Sequence, residues 1–218
     1  MADKHGSKGP NEHVHKLKRF WKKFWHFFWE EDTLLSWGVN IVVAFILIKW
    51  VIYPGLGMIL QTSHPVVAVI SNSMEHDGSF DNWWAEQEDW YTSNNISQES
   101  FLDYRFKNGF NKGDIMLLKG IKPDKITDGD VIVYTSYIRT EPIIHRVVKV
   151  KEEGGSYFYT TKGDHNARTY PFEQGIHSSK VIGKSFLRVP YFGWVKISFV
   201  CMIDSFTGKQ RFINCMRG

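Results

Sequence analysis

Two serines, one residue apart, carry the first chemical signal in this sequence. Ser71 and Ser73 follow an apolar run that is rich in β-branched residues, and Met74 comes directly after them. A hydroxyl at the end of a strand can act as a nucleophile when a base lies within hydrogen-bond reach. Serines in this position also make ordinary turns and caps. The pair therefore predicts either a nucleophile or a turn, and a base elsewhere in the chain must decide between them.

Two later residues can supply the partners that a serine nucleophile needs. His145 interrupts an apolar stretch typical of a strand, where a histidine serves either as a base or as a buried core side chain. Asp164 lies in a turn-rich stretch, where it either supports that base or simply closes a hairpin. The other histidines after residue 60 are His165, a rival base, and His64, His76 and His177, which no predicted strand positions.

An apolar stretch over residues 36–60 precedes these groups and is long enough to cross a membrane. The part before Pro54 spans roughly 27 Å at about 1.5 Å per residue, close to the hydrocarbon thickness of about 30 Å. Its polar residues lie toward the ends, where Lys49 can reach an interface. The pattern predicts one transmembrane helix over residues 34–60 rather than a cleaved leader.

The basic residues that would orient this helix lie before it. Seven lysines and arginines precede the apolar stretch, and none lies between Gln61 and Asp103. The positive-inside rule places residues 1–33 in the cytosol and the following domain outside it. Within residues 15–29, basic and aromatic residues alternate at three- and four-residue steps. That spacing predicts an amphipathic helix at the lipid headgroups or, alternatively, a helix that binds a protein partner.

Composition and charge restrict the class of protein. With 218 residues, of which 43% are hydrophobic, the chain can bury one core of ordinary size. The net charge of +4 is concentrated before the apolar stretch, which argues against a nucleic-acid-binding face. Cys201 and Cys215 match no metal-binding spacing, and they form either one disulfide or two free thiols. We predict no metal and no cofactor.

The chain after residue 112 is predicted to be β-rich. Short apolar runs separated by Gly, Asp and Pro turns predict strands at residues 114–118, 130–134, 143–150, 156–161 and 181–189. The fold class is therefore mostly β, with one N-terminal transmembrane helix followed by a compact antiparallel β-domain.

The boundaries of this domain follow from the segments that interrupt it. Residues 77–111 are polar and aromatic without a sustained period, and they form an insertion with a glycosylation sequon at Asn95. Residues 61–76 and 112–200 form the extracytoplasmic β-domain, and residues 201–218 form a tail. The apolar stretch at residues 191–206 is too short for a second span and is expected to pack on the domain or rest on the membrane.

Six motifs occur in an order that resembles type I signal peptidases. They are Ser71-Asn-Ser-Met-Glu75, Lys112-Gly-Asp-Ile-Met-Leu-Leu118, Gly129-Asp-Val-Ile-Val-Tyr134, His145-Arg-Val147, Thr161-Lys-Gly-Asp-His-Asn166, and Val181-Ile-Gly-Lys184 with Pro190-Tyr-Phe-Gly-Trp-Val195. The chain is similar to the archaeal and endoplasmic-reticulum (Sec11-like) branch, because the bacterial branch has a lysine base where this chain has His145. The resemblance covers essentially residues 36–196.

The resemblance implies a membrane-bound serine endopeptidase that removes signal peptides from secreted preproteins. Ser73 would form the acyl-enzyme, His145 would take its proton, and Asp164 would orient or support His145. The partners implied are preproteins, the lipid bilayer and the protein-export machinery, with no nucleic acid. The location implied is the cell membrane, or the endoplasmic-reticulum membrane in a eukaryote.

The resemblance also implies how a substrate is held. The hydroxyl of Ser71 and the backbone N–H of Ser73 would form the oxyanion hole. The strand before them, with Val69 and Ile70, would pair with the extended substrate next to Met74. Shallow pockets would accept small residues at the first and third positions before the cut.

Three departures from the family pattern affect these expectations. His76 stands where the family usually has Pro, the insertion over residues 77–111 is longer than usual, and Tyr170 replaces the second acidic residue. Either Glu173 stands in for that acid, or Asp164 acts alone. Two alternatives remain open: a related peptidase with one dedicated substrate, and a non-catalytic membrane-anchored β-domain that binds exported proteins.

Overall fold

The computed structural model describes residues 15–16, 18–19, 21–22, 25–26, 33–207 and 216. The chain divides into two compact units, the first ending at Gly55 and the second beginning at Leu56. Of the predicted amphipathic helix over residues 15–29, the described positions are helical and exposed. The other positions of that prediction lie outside the described residues.

The apolar stretch forms a helix from Leu34 to Leu60 that is long and apolar enough to be a candidate membrane span. Only 6% of its most apolar window is buried, so the side chains point outward, as a lipid-facing helix requires. Its parts are α1 (Leu34–Leu47), a π-helical turn (Ile48–Ile52) and α2 (Tyr53–Leu60).

Pro54 lies inside this helix and does not end it. Proline has no N–H to donate, and its ring collides with the carbonyl one turn earlier in a regular α-helix. The wider π-helical turn lies directly before Tyr53 and Pro54. Such a turn accommodates a local mismatch in the hydrogen-bond ladder, so the helix continues to Leu60.

The second unit is built on a seven-stranded antiparallel sheet, as the fold class predicted. The strand order is β1-β2-β7-β3-β4-β5-β6. The strands are β1 (Val66–Ala68), β2 (Ile115–Lys119), β3 (Val131–Tyr134), β4 (Ile143–Glu153), β5 (Ser156–Lys162), β6 (Ile176–His177) and β7 (Val181–Val189). Single 3-10 turns lie at Pro123–Lys125, Pro171–Glu173 and Ser178–Lys180.

Two buried clusters cover opposite faces of the central strand β3. Val131 and Val133 point into one cluster, and Ile132 and Tyr134 point into the other. Neighbouring side chains of a strand face opposite ways, so a strand buried on both faces is apolar throughout. The first cluster also contains Val69, Met74, Phe110, Met116 and Leu118. The second contains Ile126, Ile143, Val147, Tyr159 and Ile176.

The insertion is helical, although its sequence showed no sustained period. It contains α3 (Phe80–Ser93) and α4 (Gln98–Leu102), and the hydroxyls of Ser79 and Ser97 cap these helices by accepting backbone N–H groups. Its aromatic side chains form a small core on Val148, one residue of β4. The members from the insertion are Trp83, Trp84, Tyr91, Ile96 and Phe101, with Phe80, Trp90 and Tyr104 packed against them.

The apolar tail forms α5 (Gly193–Phe206), which packs one face on the domain. The N–H of Gly193 donates to the carbonyl of Gly113 at 2.8 Å. A Cβ on Gly193 would lie 2.8 Å from that carbonyl oxygen, so this close approach requires glycine. Cys201 of α5 is buried and is held in a disulfide, and Cys215 lies outside the described residues.

Candidate active site

Ser73 and His145 are 72 residues apart in the chain, and they meet in the structure. Ser73 lies in the loop that follows β1, and His145 is the third residue of β4. The Nε2 atom of His145 lies 2.9 Å from the Oγ atom of Ser73. A hydroxyl and an imidazole at this distance have the geometry that the predicted nucleophile–base pair requires.

The acid beside His145 is Glu173. Its Oε1 atom makes a hydrogen bond with Nδ1 of His145, and its Oε2 atom accepts the N–H of Tyr170 at 2.7 Å. The carboxyl is fully buried and ends the 3-10 turn Pro171–Glu173. Because a carboxylate only accepts hydrogen bonds, it keeps the ring proton on Nδ1. The lone pair of Nε2 then faces the hydroxyl of Ser73.

Asp164 does not contact His145, which corrects the expected role of this residue. Its carboxylate accepts hydrogen bonds from Nη2 of Arg146 at 2.6 Å and from Nε of Arg146 at 2.9 Å. It also accepts from Nε2 of His76 at 3.0 Å and from the hydroxyl of Tyr91 at 3.1 Å. A fully buried carboxylate is stable only beside groups that neutralise and bond it, and the guanidinium of Arg146 supplies the charge.

These neighbours determine the charge of Asp164. Burial by itself raises the pKa of Asp164, but the charge of Arg146 and the hydrogen bonds from His76 and Arg146 outweigh burial. The pKa of the carboxyl is therefore held well below its usual range. Burial acts to lower the pKa of Arg146, and Asp164 raises it overall. The pair stays charged at neutral pH.

We expect the Asp164→Asn variant to lose roughly 3–5 kcal/mol of unfolding free energy at neutral pH, because it leaves Arg146 buried without its partner. The folded-state pKa of Asp164 lies below its unfolded value of about 4. The stabilisation is therefore complete above about pH 5 and is lost as the pH falls toward the folded-state pKa. Urea unfolding of both proteins from pH 7 to pH 2.5 measures this, and a difference that stays constant on acidification contradicts the assignment.

The loop over residues 163–165 lies against the nucleophile and the base. The N–H of His165 donates to the carbonyl of Ser73 at 2.9 Å, and the N–H of Asp164 donates to the sulfur of Met74 at 3.4 Å. A Cβ on Gly163 would lie 2.7 Å from the carbonyl oxygen of Ser73 and 2.9 Å from Nε2 of His145. The loop therefore approaches the carbonyl of Ser73 and the imidazole of His145 this closely only with glycine at position 163.

The four residues predicted to hold the substrate or the oxyanion separate into two groups. The Oγ atom of Ser71 lies 3.1 Å from the Oγ atom of Ser73, and Ile70 is 51% exposed. Val69 and Met74, in contrast, are buried in the first core cluster. These two side chains anchor the loop to the core, and the pairing of this strand with an extended substrate stays a prediction.

The strand before the nucleophile lies at one edge of the described sheet. β1 pairs with β2, and Val69 continues this pairing, since its N–H donates to Asp114 and its carbonyl accepts from Gly113, both at 2.9 Å. Successive residues of a strand point their backbone groups in opposite directions, so those of Ala68 face away from β2. An edge strand with outward backbone groups can pair with an extended peptide.

Three buried polar side chains lie beside the site without having been predicted there: Arg146, Lys162 and His76, which the sequence marked only as a weaker base and as a departure from the family. Lys162 donates to Oε1 of Gln87 at 2.9 Å, and burial lowers its pKa to about 8. The sequence signal for Arg146 and Lys162 was a charged residue within an apolar strand. Such a charge is buried only where acceptors lie nearby, so it points to a polar network. Glu173 had a local sequence signal as well. Pro171 is typical of the first position of a helical turn, and Glu173 at the end of that turn accepts the N–H of Tyr170.

Comparison with known proteins finds catalytic subunits of the signal peptidase complex among the relatives of this chain, and no protein-family model matches it. The signal peptidase complex catalytic subunit SEC11C of Homo sapiens is 28% identical over 152 residues, which cover 67% of this chain and 62% of the relative. The subunit SEC11 of Verticillium alfalfae is 28% identical over 170 residues, or 75% of this chain and 77% of the relative. SEC11 of Yarrowia lipolytica is 26% identical over 119 residues, or 55% and 50%. The chain thus spans 62% of the length of the SEC11C relative.

Proposed function

The chain is a homologue of the Sec11-like type I signal peptidases, and from this premise we propose that it is a membrane-bound serine endopeptidase that removes N-terminal signal peptides from secreted preproteins. The observation that carries the proposal is the continuous set of hydrogen bonds from Ser73 through His145 to Glu173. A nucleophile, a base and an acid in this arrangement are the parts that acyl-enzyme hydrolysis requires.

The proposed reaction begins when Oγ of Ser73 attacks the scissile carbonyl and Nε2 of His145 takes its proton. Glu173 stabilises the imidazolium that forms, because its carboxylate bonds the protonated Nδ1. The hydroxyl of Ser71 and the N–H of Ser73 stabilise the oxyanion. His145 then gives its proton to the leaving amine, and the mature protein departs. In the second half, His145 activates a water that hydrolyses the acyl-enzyme and regenerates Ser73.

The substrate is proposed to bind as an added strand along β1. The outward backbone groups of Ala68 would pair with the signal peptide just before its cleavage site. Such pairing brings the scissile carbonyl to the end of the strand, where Ser73 lies two residues after the loop begins at Ser71. The shallow edge favours small side chains at the first and third positions before the cut.

The bilayer is proposed to bring enzyme and substrate together. The candidate span Leu34–Leu60 ends only a few residues before β1, and a signal peptide is itself held in the membrane. Confining both chains to one surface raises their effective concentration. The proposed orientation has the N-terminus in the cytosol and the catalytic domain outside it, in the cell membrane or the endoplasmic-reticulum membrane, because the basic residues lie before the span. Proposed partners are preproteins and other subunits of the export machinery.

The contact between Glu173 and His145 weighs against the non-catalytic alternative. That alternative depended on Tyr170, which stands where the family has an acid. Glu173, three residues later, supplies a buried carboxylate to His145. A peptidase with one dedicated substrate would use the same three groups, so only the range of substrates distinguishes it.

The proposal is tested with the full-length chain, purified in detergent and incubated with a panel of preproteins that carry different signal peptides. We expect one cut in each preprotein, mapped by mass spectrometry of the new N-terminus, after a small residue. Cleavage of one preprotein alone indicates a dedicated-substrate peptidase. If none is cut in detergent or in liposomes, the proposal is wrong.

Gly163 gives a further test of the site. We expect the Gly163→Ala variant to cleave at least about tenfold more slowly, because the added methyl would displace His145 from Ser73, and misplacement by about 1 Å can cost about 100-fold. Gly154, Gly155 and Gly175 are poor controls. An added Cβ would meet open space at each, but their positive φ would strain an alanine. Gly38, outside the catalytic domain and with open space around it, is the better control, and Gly38→Ala should cleave at the wild-type rate. Equal rates in the two variants would contradict the geometry.

A further inference from the structure

The imidazole of His76 is buried behind the site, against the insertion. Its ring stacks on the ring of Trp83 with centroids 3.6 Å apart and planes within 5°. The side chain is 2% exposed, and Nε2 lies 3.0 Å from Oδ2 of Asp164. The other ring nitrogen, Nδ1, has no hydrogen-bond partner in the part of the chain that the structure describes. The contact with Asp164 is therefore the polar contact that defines the position of this ring.

Asp164 contacts three segments whose relative positions determine whether Ser73 faces His145. Arg146, which bonds its carboxylate, is the residue directly after His145. His76, which bonds the same oxygen, lies three residues after Ser73. The indole N–H of Trp83 donates to the backbone carbonyl of Asp164 at 3.1 Å. The base strand, the nucleophile loop and the insertion are thus tied to one residue.

The insertion also contacts Arg146, the cation of this network. Two of its backbone carbonyls, those of Arg105 and Phe106, accept hydrogen bonds from the guanidinium of Arg146 at 2.9 Å each. The ring of Phe101 lies 4.7 Å from the guanidinium carbon. These contacts satisfy a buried cation whose carboxylate partner is shared with His76 and Tyr91. The insertion therefore covers the charged network.

We propose that His76 is a positioning residue and that residues 77–111 act as a brace for the Ser73–His145 pair. His76 acts through Asp164, whose loop contacts Ser73 by the N–H of His165 and approaches His145 at Gly163. The inference rests on the proposed peptidase activity. It gives the two sequence departures one explanation, because a histidine at position 76 and the aromatic insertion bind the same carboxylate.

Two substitutions at His76 separate the hydrogen bond from the ring stacking. His76→Phe keeps an aromatic ring on Trp83 but has no N–H for Asp164. His76→Gln keeps an amide N–H that can reach Asp164 but loses the ring. If His76 positions the site through Asp164, we expect His76→Phe to lower kcat about tenfold or more with KM unchanged, as the loss of a hydrogen bond to a charged group allows. His76→Gln should stay within about threefold of the wild-type kcat.

The opposite ranking of the two His76 variants would overturn the proposal. If His76 only fills space against Trp83, His76→Gln should be the more damaged variant in both kcat and melting temperature, and His76→Phe should match the wild type. Trp83→Phe, which removes the indole N–H to Asp164 and keeps a ring, is expected to lower kcat about five- to tenfold without changing KM. Glu86→Gln, on the exposed side of α3, is the matched control and should leave kcat unchanged.

The experiment also separates this inference from the proposed function. Wild-type cleavage that is lost in Ser73→Ala supports the peptidase assignment whatever His76 does. An unchanged kcat in His76→Phe then overturns the brace alone. If His76→Phe fails to fold, the comparison of His76→Gln and Trp83→Phe with Glu86→Gln still decides, because the brace predicts a lower kcat only in Trp83→Phe.

Discussion

The Ser73→Ala variant is expected to fold normally and to cleave preproteins at least about 10⁵-fold more slowly than the wild type, since removal of the nucleophile from a serine protease costs on the order of 10⁶ in kcat. The methyl group of alanine fits the space of the hydroxyl, so the loop between Ser71 and Met74 should stay in place. Only the atom that attacks the carbonyl is removed.

His145→Ala should lose as much activity as Ser73→Ala, because Ser73 cannot attack efficiently without a base and His145 has no nucleophile to activate without Ser73. The double variant should be no slower than either single variant, as expected for groups that act as a unit. Asn72→Ala is the matched control, because Asn72 lies between the two serines with its side chain exposed. Cleavage rates are measured with one preprotein at saturating concentration. Activity that survives in Ser73→Ala would mean that another group is the nucleophile.

The second large effect is expected at Glu173. We expect Glu173→Gln to lower kcat by roughly 10³–10⁴-fold, the size of effect seen when the acid of a Ser-His-Asp triad becomes an amide. The amide can donate a hydrogen bond to Nδ1 of His145, which would favour the tautomer with its proton on Nε2. That proton would point at Ser73 and prevent His145 from acting as a base. KM should change little, since Glu173 is buried and does not face the substrate edge.

Three variants complete the test of Glu173. Glu173→Asp should recover part of the rate, because it keeps a carboxylate but shortens the side chain. Glu141→Gln, an exposed carboxyl just before β4, should be as active as the wild type. Asp164→Asn reports on the alternative acid: if Glu173→Gln retains full kcat while a folded Asp164→Asn protein does not, the acid role belongs to Asp164.

Much of the secondary structure could be predicted, because it depends on short-range patterns. The last long strand was expected at residues 181–189 and is Val181–Val189. The candidate span was expected at residues 34–60 and is Leu34–Leu60. In both cases the physical signal is local: apolar residues bounded by turn residues define a strand, and a long apolar run defines a span.

The insertion was harder to predict, because contacts between residues that are distant along the chain stabilise its helices. α3 contains Trp83, Trp84 and Tyr91, which pack with Phe101 from another helix and with Val148 from β4. An aromatic side chain contributes to a helix face only if a partner covers it. Phe101 lies on the other helix of the insertion, and Val148 lies more than forty residues further along the chain, so α3 by itself does not reveal the period.

The sequence by itself predicted the span, most of the strands, and the roles of Ser73 and His145. Residue type limits which side chains can attack or accept a proton, and the resemblance to type I signal peptidases singled out Ser73 and His145 among them. Only the tertiary structure shows which acid contacts His145. The sequence made Asp164 the expected acid and Glu173 the alternative, but the fold places Arg146 and His76 on Asp164 and leaves the carboxyl of Glu173 to Nδ1 of His145. Charge pairing in a buried space depends on distances across strands, and sequence spacing does not contain those distances.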